Sequence, residues 1–353
     1  MSDMHAGSAV ARLALAVFAA LCVASAPCAE GSAEALSLWN DAAPAKTAVV
    51  AYVSAVTKEG SGDYIPPESR IAVFDLDGTL MLETAPTYFD WLLFERRVLD
   101  DPDCRATAEQ IEAARKSRYE RIMPPLTPNR ESMVTLAFRG MSLGAFDAYV
   151  RAFMEEPQPG FSGMKRGEAF YRPMVEMVRY LQASGFTVYV SSGTDRLTMR
   201  PLVAKNLGLP FTQMMGSDSS ILASGQGDVH GMHYVLEKGD DLVMGGQSIV
   251  KNLQMNKVAL LARQIGARPV LAFGNSMTDA SMLNYTINGN RYKALGFMVC
   301  CDDLVREYGN AAKAAKMRAA CREYGWVPIS MRDDWKTIYG DGVKRLTLPV
   351  PKR

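Results

Sequence analysis

Short unbroken apolar runs, separated by stretches of helical periodicity, set the character of this chain. Residues 71–74 (IAVF) are apolar, rich in β-formers and bounded by turn signals. Such a run predicts a strand buried on both faces of a parallel sheet. The same signature recurs at 186–190 (FTVYV) and 270–273 (VLAF), with a fourth run at 295–299 (LGFMV). Between these runs, 173–184, 196–206, 256–265 and 312–324 carry apolar residues at helical spacing. Strands alternating with helices predict crossover units and an α/β, doubly wound parallel sheet. A helical lead-in covers 34–58 and is broken by Gly60, Gly62, Pro66 and Pro67.

Two stretches depart from this rhythm. From Glu83 to Gly167 the pattern is helical with no convincing strand, most clearly at 104–122, 130–138 and 142–154. This predicts a mostly helical insertion directly after the first core strand. Residues 219–251 are rich in glycine and β-formers and predict a hairpin. The expected division is therefore a core of 30–84 and 168–353, with the helical insertion at 85–167.

The first residues read as a leader. Arg12 precedes an apolar run from Leu13 to Ala26, and PCAEG follows. That order matches a secretory signal, and about 14 residues fall short of the ~20 needed to span a bilayer. The expectation is a signal peptide over 1–29 and a periplasmic or secreted protein without a stable membrane anchor. Pro27 fits poorly beside a cut after Ala26 or Ala29, and a buried N-terminal helix is the alternative. Composition adds exclusions. Hydrophobic residues make up 48% and charged residues 22%, as in globular proteins. Lys and Arg total 39 against 38 for Asp and Glu, so no global field draws the chain to nucleic acid. The six cysteines include no CxxC pair, which argues against a zinc or thioredoxin-type site. Export would permit a disulfide joining Cys300 or Cys301 to Cys321, although adjacent cysteines also occur in buried strands.

The chemistry gathers at strand ends, where ligands bind in open α/β sheets. The first run ends in Asp75-Leu76-Asp77-Gly78-Thr79. The second ends in Ser191-Ser192-Gly193-Thr194-Asp195, and the third in Gly274-Asn275-Ser276 with Asp279 beyond. Two carboxylates two residues apart repel unless a cation lies between them or one takes a proton. Mg²⁺ accepts hard oxygen ligands from carboxylates, carbonyls, water and phosphate. A carboxylate can serve as a nucleophile that becomes an aspartyl-phosphate, while its neighbour protonates the leaving oxygen and then deprotonates water. A hydroxyl and a lysine would match the phosphoryl charge.

With these motifs the chain resembles the haloacid dehalogenase-like superfamily, in its phosphatase branch. DLDGTL resembles the first motif of that superfamily, VSSG the second, Lys257 in NKVALLARQIGARPVLAFGNS the third, and GNSMTD the fourth. The resemblance covers about residues 68 to 335 and implies a Rossmann-like core, with the insertion as a cap over small substrates. It implies Asp75 as nucleophile and Mg²⁺ ligand, and Asp77 as acid/base with its carbonyl on the metal. Thr79 would orient Asp77, Ser191 (or Ser192, if the strand ends one residue later) would bind phosphate, and Lys257 would neutralise nucleophile and phosphate. Lys251 is the competitor for that last role. Asp279 would ligate the metal or orient its water. Asn275 departs from the aspartate common in the family, and its amide oxygen would bring no charge to the metal.

The implied activity is a Mg²⁺-dependent phosphomonoester hydrolase acting on a small phosphorylated metabolite. A phosphotransferase, a phosphonate hydrolase and a non-catalytic phospho-ligand-binding protein are the alternatives. In the insertion, Tyr88, Phe89, Trp91 and Phe94 either pack the hinge or wall the substrate, and Glu83 is a further substrate-facing candidate. His230 and His233 lack a third metal-spaced partner and read as structural.

Overall fold

Residues 36–348, apart from residue 84, are described by a computed structural model. The leader expected at 1–29 lies outside the described residues. Strand β1 (Ile71–Phe74) coincides with the predicted run and is buried along its whole length. Its side chains divide between two cores: Ala72 and Phe74 enter one, Val73 the other. Alternation of this kind places apolar layers on both faces of the sheet.

Before β1 comes helix α1 (Pro44–Thr57), whose Tyr52 hydroxyl donates to the carbonyl of Lys293 at 2.9 Å. After β1 the chain forms α2 (Phe89–Asp100), α3 (Ala108–Arg115), α4 (Pro128–Leu136), α5 (Leu143–Met154) and the short strand β2 (Phe161–Ser162). Helix α6 (Arg172–Ala183), β3 (Thr187–Asp195), α7 (Arg196–Leu207), β4 (Met214–Ala223) and β5 (Leu242–Val250) follow. Then come α8 (Met255–Gln264), β6 (Leu271–Gly274), α9 (Ala280–Ile287), β7 (Leu295–Cys300), α10 (Ala311–Tyr324), β8 (Val327–Ser330) and β9 (Lys344–Arg345).

The main sheet has seven strands in the order β5-β4-β3-β1-β6-β7-β8. All neighbours run parallel except β4 and β5, so the expected parallel sheet carries one antiparallel edge strand. The chain winds from β1 towards β3 and β4, then returns to β6 on the other side of β1. That reversal opens a crevice between the loops after β1 and β6. Phe74, Phe273 and Phe297 stack across three strands beneath it, with centroids 4.2 and 4.8 Å apart. Each such aromatic pair contributes about 0.5–1.5 kcal/mol beyond its buried area.

Helices α2 to α5 make the insertion, and it packs through α4 on β5 and through α5 on α7. The helix predicted over 104–122 starts later, where Thr107 and Gln110 form a reciprocal cap, and its last turn is π-helical at Lys116–Glu120. The hairpin predicted over 219–251 is the β4–β5 ribbon, extended back to Met214. No helix among the described residues is long and apolar enough to cross a membrane.

Candidate active site

Asp75 leaves β1 with its N–H still donating to the carbonyl of Phe273 on β6, at 2.9 Å. The chain then turns tightly, with Gly78 N–H donating to the Met81 carbonyl at 2.7 Å and a φ of 77° at Gly78. That left-handed conformation favours glycine. The turn sets Asp75 and Asp77 side by side on the wall of a cavity of about 640 Å³.

Lys257 rises from α8 beneath the crevice and is fully buried. Its ammonium donates to Asp75 Oδ1 at 2.6 Å, Asp279 Oδ1 at 2.7 Å and the Ser191 carbonyl at 2.7 Å. Three donors meet three acceptors, so the ammonium is saturated. Removing one partner of a buried ion pair typically costs about 3–5 kcal/mol, because the other charge is left uncompensated. Lys251, the competing lysine, instead pairs with Glu131 of α4 at 2.9 Å, on the cavity wall.

Asp279 is also fully buried. Its Oδ1 takes the lysine, and its Oδ2 accepts from the N–H groups of Asn275 (3.0 Å) and Ser276 (3.2 Å). Both oxygens are thus occupied within the protein, and Asp279 braces the loop instead of facing the cavity. Asn275, with Ser276 and Thr278, faces the cavity at that strand end.

Strand β3 runs past the serines to Asp195, with an irregular register against β4 between Ser191 and Asp195. Gly216 permits this approach, because a Cβ there would lie 2.6 Å from the Arg196 Cα. Alternation along the strand separates the two serine hydroxyls. Ser191 Oγ accepts from Asn252 Nδ2 (3.1 Å), whereas Ser192 Oγ donates to Asp77 Oδ2 (3.2 Å). Thr194 Oγ1 donates to the same oxygen at 2.7 Å. The expectation that Thr79 orients Asp77 is corrected: its hydroxyl lies 3.3 Å from Asp75 Oδ2, buried beneath the nucleophile candidate and away from the cavity. Ser191, expected at the phosphate, is likewise turned to Asn252.

Burial pushes the Asp75 carboxyl up to about 8, with Asp279 adding to the rise and Lys257 opposing it. Burial, with Asp90 next in weight, pushes Asp77 up to about 7 against the hydrogen bonds from Thr194 and Ser192. Burial works against the charge on Lys257, but Asp279 and Asp75 outweigh it and hold the lysine above its ordinary value. Three acidic side chains gather about one ammonium, and burial and the crowding raise the proton affinity of Asp75 and Asp77. Asp77 Oδ1 is buried and accepts no hydrogen bond. Among the described residues no three acidic, histidine or cysteine side chains form a ready cage. A hard-oxygen set of the Asp75 carboxylate, the Asp77 carbonyl and the Asn275 amide nonetheless suits Mg²⁺, which completes its shell with water and phosphate.

The rest of the cavity comes from the insertion and the far strand ends. Glu83 pairs with Lys313 of α10 at 2.6 Å, and Tyr88, Asp90 and Arg130 line the insertion side. Of the aromatic run only Tyr88 reaches the cavity; Phe89, Trp91 and Phe94 are buried. His230 and His233 sit exposed in the β4–β5 connection. Cys104, Cys300, Cys301 and Cys321 are all unpaired, and Cys301 lines the cavity. Thr194 and Asn252 were not anticipated. A hydroxyl two residues past Ser192 on the same strand face was the available signal for Thr194, and Asn252 lies in an aperiodic stretch that offers none.

Among solved structures, the chain is similar to a protein of unknown function from Bordetella pertussis Tohama I. Identity is 16%, over 74% of this chain and 97% of that one, with a TM-score of 0.48. It is also similar to cytosolic 5'-nucleotidase IIIB bound to cytidine (13% identity, 82% and 87% covered, TM-score 0.46). A third is a probable phosphoserine phosphatase from Vibrio cholerae (13% identity, 71% and 60% covered, TM-score 0.39). No curated protein matches the chain in sequence. The haloacid dehalogenase-like hydrolase family matches residues 72–284, more than half of the chain and the whole span from β1 into α9. The protein belongs to the haloacid dehalogenase-like hydrolase family.

Proposed function

We propose that the protein is a phosphomonoester hydrolase that forms an aspartyl-phosphate on Asp75. The observation that carries the reading is the triad of Lys257 with Asp75 and Asp279, set beside an Asp77 whose Oδ1 is free. Lys257 fixes Asp75 through Oδ1, and Thr79 steadies Oδ2, the oxygen available to attack phosphorus. Lys257 also stabilises the negative charge that gathers as the phosphoryl group is transferred.

Asp77 is held through Oδ2 by Ser192 and Thr194, which leaves Oδ1 to carry the proton. That proton goes to the departing alkoxide, and the same oxygen then accepts one from the water that attacks the phospho-enzyme. A carboxyl pushed up to about 7 by burial is matched to giving and taking a proton near neutrality. Asp75, the Asp77 carbonyl and Asn275 would hold a Mg²⁺ ion, which when bound supplies positive charge against the phosphoryl oxygens. The insertion, as a cap, would shield the reaction from water and select the alcohol portion of the substrate. Export rests on residues 1–29 alone, and fractionation of cells making the full chain tests it.

The deciding experiment is phosphate release from an aryl phosphate with Mg²⁺ and with chelator. Wild-type protein should release phosphate only with the metal, and Asp75→Asn should lose at least about a thousandfold, as when a nucleophile is removed. Wild-type turnover in that variant would remove Asp75 from the mechanism. Transfer to an added alcohol in place of water would identify a phosphotransferase.

A further inference from the structure

We infer that Arg130 receives a second anionic group, so that the substrate is a phosphomonoester whose alcohol portion carries a carboxylate or another phosphate. The inference rests on the phosphomonoesterase reading and adds the chemical class of the substrate.

Three cations line the cavity: Arg130, Lys251 and Lys313. Two are already neutralised, Lys251 by Glu131 at 2.9 Å and Lys313 by Glu83 at 2.6 Å. Arg130 forms no ion pair among the described residues, although its sequence neighbour Glu131 is an acid taken by Lys251. Its guanidinium donates from Nη1 to the Pro124 carbonyl (3.2 Å) and lies over the face of Trp91, 4.9 Å from the ring centroid. Its Nε is buried and has no acceptor. A guanidinium presents a fork of donors that matches a carboxylate or phosphate through two parallel bonds. The side chain as a whole is only partly buried, and an anion would meet the open part of its fork beside that unsatisfied donor.

Arg130 is also positioned before any ligand arrives. It lies in the first turn of α4, where the Thr127 side chain accepts its N–H at 3.3 Å. The indole of Trp91, fully buried, fixes the plane behind the guanidinium. Preorganisation of this kind improves binding by reducing what must be ordered. Asp75 and Asp77 line the same cavity, so one ligand could meet both them and Arg130. About 640 Å³ is ample for a metabolite bearing two such groups. Asp90, which also lines this wall and forms no ion pair among the described residues, is the feature that would instead favour a cationic substituent, and the test includes that case.

The test compares four esters: phenyl phosphate, 4-carboxyphenyl phosphate, 4-(trimethylammonio)phenyl phosphate and 1,3-propanediol bisphosphate. Wild-type kcat/KM should favour at least one of the two anionic compounds over phenyl phosphate by about tenfold or more, in the range of a charged hydrogen bond. Which one is favoured separates a carboxylate from a phosphate. In Arg130→Gln that ratio should collapse by about tenfold, and Arg130→Lys, a point charge without the fork, should keep an intermediate ratio. A preference for the trimethylammonium ester overturns the inference, as does an equal change for all four esters in Arg130→Gln. Calorimetry on Asp75→Asn protein, with and without Arg130→Gln, reads the same ratios as binding. If wild-type protein releases no phosphate from any ester, the hydrolase reading fails while calorimetry still decides Arg130.

Discussion

A Cβ placed on Gly78 would lie 1.9 Å from Nδ2 of Asn275 and 2.7 Å from its Cγ, so the loops after β1 and β6 meet with no room for a side chain. The φ of 77° at Gly78 adds strain for any other residue, about 1–2 kcal/mol. Gly78→Ala should therefore push Asn275 out of the cavity wall and disturb Asp77 beside it. Phosphate release should fall by a hundredfold or more, as it does when reacting groups are displaced by about 1 Å. The melting temperature should drop by only a few degrees. Near wild-type turnover would mean that this contact does not position the site.

Thr194 sets the proton affinity of Asp77. Its hydroxyl bond stabilises the charged carboxylate and so opposes the rise that burial and Asp90 impose. Thr194→Val removes that bond and should raise the Asp77 pKa further above about 7. The protonated carboxyl serves the departing alkoxide, so activity declines as pH climbs through this pKa. The alkaline limb of kcat/KM should therefore move to higher pH in Thr194→Val, by about half to one unit for one hydrogen bond. A limb that stays put, or moves to lower pH, would separate Asp77 from the leaving-group step.

How these residues were and were not visible in the chain follows from where periodicity operates. Strand β1 and the cluster after it were legible because four apolar residues end abruptly in Asp75. Helices α6, α7, α8 and α10 fell within a residue of their apolar patterns. Strand β8 was missed because VPIS is short and contains Pro328, which suits an edge strand. Helix α2 is hidden in the sequence by its aromatic run, whose residues equally suit a hinge or a substrate wall. Strand β4 changes partner along its length, parallel to β3 and then antiparallel to β5, and polar residues at its middle mask both halves. At the site, type and order found Asp75, Asp77, Lys257 and Asp279 as a group. Side-chain direction was not legible: it depends on how far β3 continues, which decides between Ser191 and Ser192.

Glu307 offers a stability test outside the catalytic centre. Burial pushes its carboxyl up to about 7, against bonds from the Tyr339 hydroxyl and the Tyr308 N–H. The folded protein therefore holds a proton here that the unfolded chain releases near 4.5. Its stabilising effect is complete below the unfolded pKa and is lost as pH rises through about 7. The loss approaches about 3 kcal/mol at most. In Glu307→Gln, which is neutral at every pH, denaturant unfolding should show a smaller fall in stability between pH 5 and 8 than wild type. An identical pH dependence in the two proteins would mean that Glu307 is ionised in the fold.

Asn275 supplies the last prediction, through metal affinity. It faces the cavity where Asp279, with both oxygens engaged, does not. Its Nδ2 is buried without a partner, so exchanging that group for an oxygen breaks no hydrogen bond in the protein. Asn275→Asp adds a formal negative charge beside a divalent cation at almost the same shape, and charge is what tightens such sites. The Mg²⁺ concentration for half-maximal phosphate release should fall severalfold, and more chelator should be needed to silence the enzyme. Asp279→Asn makes the contrast, because its loss acts at one remove, through Lys257 and through the N–H groups of Asn275 and Ser276. That variant should lower kcat and also raise the half-saturating Mg²⁺ concentration, because losing a group that braces a metal ligand typically costs about 10–100-fold in metal affinity or activity. If Asn275→Asp leaves the Mg²⁺ dependence unchanged, Asn275 is not among the groups that hold the metal.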